Sequence, residues 1–307
     1  MKRVRTIDLG YHDLDGAAAS HLIRTDDGPM LIESGPMSTL PRLQQELEAL
    51  EVDPASIELV VLTHIHLDHA GAAGWFADRG ADVLVHPLGS RHLVDPSRLN
   101  ASARRIYGED LDHLFGEMHP CPEERVHAIE DGRTISFGGI DLASIETPGH
   151  ARHHHAWMLD LDGIRQCFTG DVAGMRIPGS DFVTLPLAPP EFDPAAWIAS
   201  IDRLDALDLD RLHLTHFGVV DDPRAHLARA RDRVRRESDL VTRLVRDESL
   251  EEPTRMSLYR QWLEEEADGE DIPEDRFRAF VNRGLLAMNL GGVRRYLEST
   301  AAGRRPV

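Results

Sequence analysis

The stretch Thr63-His64-Ile65-His66-Leu67-Asp68-His69-Ala70-Gly71 constrains this chain more than any other, setting three imidazoles and one carboxylate within six residues. It lies between two segments of opposite periodicity. Ahead of it, Ile57-Glu58-Leu59-Val60-Val61-Leu62 is an apolar, β-branched run that reads as a buried strand. After it, Ala70-Gly71-Ala72-Ala73-Gly74-Trp75-Phe76 has the small residues and apolar face of a helix's first turns. The polar residues therefore occupy a turn at the carboxyl end of a strand, where α/β folds gather their ligands. If that turn is extended, His64, His66 and Asp68 share one side, because side chains alternate along such a backbone. A helix starting at Asp68-His69 swings His69 towards a neighbouring point. A lone histidine would read as part of a solvated turn, but this density of imidazole and carboxylate suits zinc, iron or manganese.

At 307 residues the chain can hold one large core and a smaller appendage. Its formal charge of −19, from 34 basic and 53 acidic side chains, repels phosphate backbones and argues against nucleic acid as the main partner. Met1-Lys2-Arg3-Val4-Arg5-Thr6-Ile7-Asp8 carries charge but no apolar h-region, and no apolar run approaches membrane-spanning length. The expectation is a cytoplasmic protein with no membrane partner. Cys121 and Cys167 lie far apart without CxxC spacing, so neither a zinc knuckle nor a disulfide framework is indicated. Cys167, within Gln166-Cys167-Phe168-Thr169-Gly170, reads as a small buried hydrophobe.

The stretch around His64 resembles the HxHxDH signature of the metallo-β-lactamase-fold hydrolase superfamily, in its glyoxalase II and lactonase-like branch. Three later segments carry the same resemblance. Thr147-Pro148-Gly149-His150 is similar to the second hallmark, in which proline and glycine shape a tight turn that thrusts the histidine inward. Residues 164–169 read as a strand ending in Gly170-Asp171, similar to the third. Arg211-Leu212-His213-Leu214-Thr215-His216-Phe217-Gly218 reads as the last core strand and its exit; His216 matches the final ligand position and His213 reads as structural. The resemblance implies His64, His66 and His150 as ligands of one divalent ion. It implies Asp68, His69 and His216 for a second, with Asp171 between them. The implied ions are two zincs, with iron or manganese as alternatives, and Asp68 is also implied as the group that takes a proton during turnover. Where the superfamily shows Asp, a small residue and Gly, this chain has Leu31-Ile32-Glu33-Ser34-Gly35. Glu33, one methylene longer, is thereby implied as the acceptor behind a ligand histidine. The implied fold is α/β: a four-layer αββα metallo-β-lactamase sandwich over residues 1–220 with a helical appendage over 221–307.

Residues 4–9, 18–25 and 30–33 read as opening strands, with Asp26-Asp27-Gly28 as a hairpin turn. Ser38 reads as the cap of a helix from Leu40 to about Glu51. Residues 81–86 form a strand whose last residue, His86, precedes Pro87 and reads as a strand end rather than a ligand. Residues 88–125 turn helical and irregular. An insertion here in this fold would overhang the metal site, which makes it a candidate lid. Within it, Tyr107 is a candidate hydrogen-bond donor to a substrate carbonyl, or else a packing residue. Residues 133–137 and 140–146 alternate like paired strands.

Ala151-Arg152-His153-His154-His155-Ala156-Trp157 presents three consecutive histidines. An extended backbone turns inward at most His153 and His155, or His154 alone, and His154 is a candidate substrate contact. In the turn-rich residues 178–190, Phe182, Leu185 and Leu187 are candidate pocket walls, and a helix follows over 194–207. A charged helix runs from Asp221-Asp222-Pro223 to about Glu248, with Leu227, Val234, Leu240, Val241 and Leu244 at near-helical spacing. A second is expected over 254–266 and a third over 274–297, broken near Gly284 and Gly291-Gly292. Arg229, Arg231, Arg233, Arg235 and Arg236 are interleaved with acids and read as a solvated face. The appendage could shape a substrate pocket, pack on the core, or form a homodimer.

Two divalent ions roughly 3.5–4 Å apart share a water and make it a hydroxide near neutral pH. The expected activity is hydrolysis by that hydroxide of a small-molecule ester, thioester, lactone or amide, with no Ser-His-Asp or Cys-His nucleophile. The alternatives are a phosphodiesterase or ribonuclease-like hydrolase, against which the acidic charge speaks, and a persulfide dioxygenase-like oxidoreductase with a single iron. A flavodiiron-like enzyme would bring a flavin domain, which the sequence does not show. A binding protein on a relic fold is the non-enzymatic alternative.

Overall fold

The computed structural model describes residues 3–189 and 191–302. Met1 and Lys2 of the charged N-terminal segment, Pro190 at the end of the turn-rich stretch, and residues 303–307 lie outside the described residues. The chain divides into two compact units: Met1–Glu146 with His153–Gly170, and Thr147–Arg152 with Asp171–Val307.

The first unit is built on two sheets. In the first sheet, β1 (Val4–Asp8), β2 (Ala19–Thr25) and β3 (Gly28–Ile32) pair antiparallel. From β3 the pairing turns parallel through β4 (Leu59–Val61), β5 (Asp82–Val85) and β6 (Val126–Ala128). The hairpin pairs Thr25 with Gly28, leaving Asp26-Asp27 as its two-residue turn. The second sheet is antiparallel in this unit, through β7 (Thr134–Phe137), β8 (Ile140–Glu146), β9 (His155–Leu161) and β10 (Ile164–Gly170). The apolar core joins Ile23, Met30, Ile32, Leu59, Val61 and Leu84 of the first sheet to Leu142, Trp157, Leu159 and Phe168 of the second. Trp157 is fully buried, and its indole N–H donates to the Leu62 carbonyl at 2.9 Å, so a polar bond crosses this core beside the histidine turn.

Parallel pairing requires crossovers, and helices supply them. Helix α1 (Leu40–Ala49) joins β3 to β4 and buries Leu43 and Leu47. Ser38 does not cap it. A 3₁₀ turn over Met37–Thr39 intervenes, and the Ser38 hydroxyl donates instead to the Leu114 carbonyl at 3.1 Å. Short helices α2 (Leu67–Ala70) and α3 (Ala73–Ala77) follow β4. Between β5 and β6 lie α4 (Pro87–Val94), α5 (Ser97–Tyr107) and α6 (Leu111–Leu114). His86 is the N-cap of α4, its Nδ1 accepting from the Leu88 amide at 3.1 Å.

In the second unit, β11 (Met175–Arg176) pairs with β12 (Val183–Thr184), and helix α7 (Pro194–Asp205) is capped by Asp193. Next, β13 (Arg211–Leu214) pairs with β14 (Gly218–Val220), so the exit after His216 is itself a strand. The helices are α8 (Pro223–Arg246), α9 (Glu252–Glu266), α10 (Glu274–Phe280) and α11 (Arg283–Ala301). The interruption within 274–297 falls at Val281-Asn282, where the Asn282 side chain accepts from the Leu285 amide at 3.0 Å and starts α11. Gly284, Gly291 and Gly292 lie inside an unbroken helix. The arginine run is not uniformly solvated. Arg233 shares a face with Ala230, Val234 and Glu237, is buried, and pairs with Glu266 at 3.1 Å beneath the Trp262 ring. Among the described residues no helix is long and apolar enough to cross a membrane.

Candidate metal centre

Strand β4 delivers the chain to Thr63 with its apolar residues buried on both faces; a bend lies at Thr63, and His66 is extended (φ −62°, ψ 152°) where it caps α2, which begins at Leu67. The helix starts at Leu67, one residue before the expected Asp68-His69 start, so Asp68 and His69 both lie in its first turn. The Ser34 and Gly35 amides donate to the His69 carbonyl at 2.9 and 3.0 Å, tying this turn to the end of β3.

Glu33 stands behind it. It is fully buried at φ +66°, a backbone conformation uncommon for a non-glycine residue. Its carboxylate accepts from the Thr63 amide at 3.2 Å, the Thr63 hydroxyl at 2.5 Å and His69 Nδ1 at 3.0 Å. Because the Thr63 proton goes to Glu33, the Thr63 oxygen accepts from His64 Nδ1, 3.1 Å away. One carboxylate thus orients two imidazoles, and both keep their lone pair on Nε2, the tautomer a cation needs. His64 Nε2 lies 3.0 Å from His66 Nδ1, and His69 Nε2 lies 4.0 Å from the Asp68 carboxylate.

The His153-His154-His155 run departs from strict alternation, because β9 starts only at His155, with His153 in a turn and His154 in the link between them. Two rings therefore flank His64: His153 stacks on it at 6.0 Å and 17°, and His154 lies 5.0 Å from it. His154 is fully buried with its Nε2 against Gly170, where a Cβ would come within 2.6 Å of it. His153 is half-buried and meets His66 edge-on at 5.5 Å. The structure therefore brings His153 to the donor turn from the exposed side and His154 from the core side. His155 is buried against His86, ring to ring at 4.6 Å. Tyr107 packs on Phe115 at 4.8 Å, and burial together with the Asp68 charge pushes its phenol up to about 12. It is a hydroxyl donor at neutral pH.

The second unit holds the other three sequence-derived donors. Gly149 has φ +139°, and a Cβ there would lie 2.3 Å from the Trp197 Cα. Only glycine lets the Thr147-His150 turn press onto α7. His150 Nδ1 donates to the Pro186 carbonyl at 2.8 Å. Asp171 lies between two imidazoles, one oxygen 3.2 Å from His150 Nε2 and the other 3.5 Å from His216 Nε2. All three side chains are buried. His213 is buried and driven down to about 4 by desolvation, so it stays neutral, as a structural residue would.

Two features here were not singled out from the sequence. Thr63 precedes the histidines and is the link between His64 and Glu33, and its position in the motif was the available signal. The Pro186 carbonyl orients His150 from 36 residues away and has no local signal.

The protein-family model described as the metallo-beta-lactamase superfamily matches residues 14–216. The chain belongs to that superfamily. Protein ST1585 of Sulfurisphaera tokodaii, a metallo-beta-lactamase fold-containing protein, is 32% identical over 169 residues, 53% of this chain and 62% of that protein. The solved structure of ST1585 covers 96% of this chain and 99% of its own, with TM-score 0.66 at 22% identity. A metallo-beta-lactamase family protein from Thermus thermophilus covers 98% and 95%, with TM-score 0.68 at 21% identity. These likenesses establish the fold, which is α/β, of metallo-β-lactamase type, with a C-terminal helical region. Two weaker relatives point to different chemistries. A hydroxyacylglutathione hydrolase of Aeromonas hydrophila is 27% identical over 62% of this chain and 57% of its own length. Endoribonuclease YSH1 of Saccharomyces cerevisiae is 20% identical over 56% of this chain and 24% of its own length. The chain spans less than two thirds of each of these curated relatives. As a member of the superfamily it carries candidate metal-binding histidines and aspartates in each unit; the glyoxalase II branch has only the weaker match behind it.

Proposed function

We propose that the chain is a metal-dependent hydrolase of a small ester, thioester, lactone or amide. In this reading His64, His66 and His150 hold one divalent ion, Asp68, His69 and His216 hold a second, and Asp171 serves both. The observation that carries it is in the His150–Asp171 pair. With its Nδ1 proton committed to the Pro186 carbonyl, His150 turns a lone pair on Nε2 towards a carboxylate oxygen 3.2 Å away. Two lone pairs at that distance repel unless a cation, a proton or a metal ion, lies between them. In the first unit His64, whose Nδ1 proton is committed to Thr63, likewise turns its Nε2 lone pair towards a second imidazole, 3.0 Å from His66 Nδ1. Imidazole and carboxylate donors with outer partners already in place fit zinc, and iron or manganese by the same chemistry.

Divalent ions held there would supply Lewis acidity, activating water near neutral pH and polarising a carbonyl. The chain's own residues do the rest. Glu33 holds His64 and His69 in one tautomer through Thr63 and directly. Asp68, partly exposed while its neighbours are buried, is the group placed to exchange a proton with substrate or solvent. Residues 88–125 serve as a lid, with the Tyr107 hydroxyl as a donor to a substrate carbonyl. A net charge of −19 works against a nucleic-acid substrate, so we place this chain's reaction nearer that of the hydroxyacylglutathione hydrolase than that of the endoribonuclease.

The test is metal analysis of the purified protein with turnover assays on thioesters, lactones, β-lactams and bis(4-nitrophenyl) phosphate. Bound zinc, iron or manganese is expected, with carbonyl-substrate turnover that a chelator abolishes and added metal restores. A metal-free protein, or one that turns over only the phosphodiester, overturns the reading.

A further inference from the structure

We propose that Asn289, on the last helix, is a positioning residue that sets the orientation of His150. This rests on the reading of His150 as a metal donor. Asn289 is fully buried in α11, and its carboxamide brackets a single residue of the loop that follows β12. The Asn289 Oδ1 accepts from the Leu187 amide at 2.8 Å, and Nδ2 donates to the Leu185 carbonyl at 2.7 Å. The residue between them is Pro186, whose carbonyl accepts from His150 Nδ1. A side chain held on both faces of one residue fixes the direction of that residue's carbonyl. Proline, with its φ locked, removes most of the remaining freedom.

A second observation points the same way. A Cβ on Gly292 would lie 1.7 Å from the Leu187 carbonyl oxygen, so α11 comes as close to this loop as a backbone can. The asparagine is itself anchored. Its Nδ2 also donates to the Tyr259 hydroxyl at 2.7 Å; that hydroxyl donates to Glu237, which accepts from Thr184 at 3.1 Å as well. Tyr259 and Glu237 are fully buried, on α9 and α8. Three helices of the C-terminal region thus converge on one peptide carbonyl, and that carbonyl selects the ring nitrogen that His150 leaves for a metal. The helical region has a part in the centre without contributing a ligand to it.

The experiment compares Asn289→Ala with Leu227→Ala, a buried α8 residue that makes no side-chain hydrogen bond. Zinc affinity is measured by competition with a chromophoric chelator, and ring ¹⁵N shifts report the His150 tautomer in metal-free protein. Asn289→Ala should weaken zinc binding about 10–100-fold, the range for loss of an outer partner, and mix the His150 tautomers. Leu227→Ala should lower Tm while leaving both readouts unchanged. Should Asn289→Ala not fold, Tyr259→Phe removes only its anchor and should weaken zinc about threefold. The proposal is overturned if Asn289→Ala keeps wild-type affinity and a single tautomer, or if Leu227→Ala loses as much affinity. Wild-type protein that binds no zinc, or His150→Ala that binds it equally well, would instead sink the metal reading; the tautomer measurement judges Asn289 in either case.

Discussion

Two buried glutamates organise two different polar networks in this protein, and their contrast separates chemistry from scaffolding. Glu33, in the first unit, faces imidazoles: it accepts from His69 directly and from His64 through Thr63. Glu237, in the second, faces hydroxyls and accepts from Tyr259 and Thr184, with Arg233 near it. A carboxylate opposite ring N–H groups dictates directly which nitrogen remains basic, whereas one opposite hydroxyls holds helices and the side chains they carry, and reaches a ring only through them. The same side chain in the same degree of burial therefore does different work according to the donors it meets.

The largest effect expected is at the donors themselves. His66→Ala and Asp171→Ala should lose metal and activity together, with activity falling by at least about a hundredfold, since even outer partners cost 10–100-fold. Most of the fold should remain, because neither side chain belongs to the apolar core. Metal content and circular dichroism on the purified variants check this. An Asp171→Ala protein that is fully loaded and active would show that Asp171 does not serve both ions.

The glutamate comparison is sharpened by making one substitution twice. Glu33→Gln puts an amide where the Thr63 and His69 protons are accepted, and should weaken metal binding about 10–100-fold with little change in Tm. Glu237→Gln preserves an acceptor for Tyr259 and Thr184 and should leave metal affinity nearly unchanged. Equal losses of metal affinity in the two variants would erase the distinction.

Glu237 should show itself in stability instead. Burial pushes its carboxyl up to about 7 from an ordinary 4.5, against the opposing pull of Arg233 and of hydrogen bonds from Tyr259, Thr184 and the Leu185 amide. The folded state then binds the proton more tightly than the unfolded chain does. The stabilisation is complete below about pH 4.5 and is lost as pH rises to about 7, with an upper limit of about 3 kcal/mol. His213 and His226, both driven down to about 4 by burial, work in the opposite sense, with stability present above 6.5 and lost as pH falls towards 4. The informative quantity is therefore the difference in Tm between Glu237→Gln and wild type at pH 5 and pH 8. The variant should lose ground at pH 5 relative to its standing at pH 8, and a pH-independent difference would show that Glu237 does not titrate on unfolding.

Legibility in the sequence follows the same division. The Thr63–His69 turn could be read because strand, turn and helix signals and all four donors are contiguous. Glu33 could be read only through the family resemblance, because Glu33-Ser34-Gly35 stands where the superfamily shows Asp, a small residue and Gly. The three-histidine run was misjudged in part: alternation holds only once a strand has begun, and β9 begins at His155, so both His153 and His154 reach His64. The break in the last helical segment was assigned to glycines, whereas Asn282 makes it, and Gly292 is a close-approach residue inside the helix. Glu237, Tyr259 and Asn289 carried no signal at all, since their partners are 22 to 104 residues distant in the chain. Short-range periodicity cannot anticipate hydrogen bonds of that reach.

Tyr107 provides the smallest and most discriminating effect, because it belongs to neither kind of glutamate network. Its ring packs on Phe115, and its hydroxyl lies in the field of Asp68. With the phenol pushed up to about 12, it remains protonated throughout any practical assay range and can only donate or accept a neutral hydrogen bond. Tyr107→Phe keeps the ring and removes that bond, worth about 1 kcal/mol, so kcat/KM should fall about fivefold while metal content and the shape of the pH profile stay as they are. If metal is lost, residues 88–125 support the centre and are not a lid; if kcat/KM does not move, Tyr107 is a packing residue and the donor to the substrate carbonyl lies elsewhere. An altered pH profile would be the most instructive failure, since it would mean that the hydroxyl reports on Asp68 and that the proton-exchanging role belongs to the two residues together.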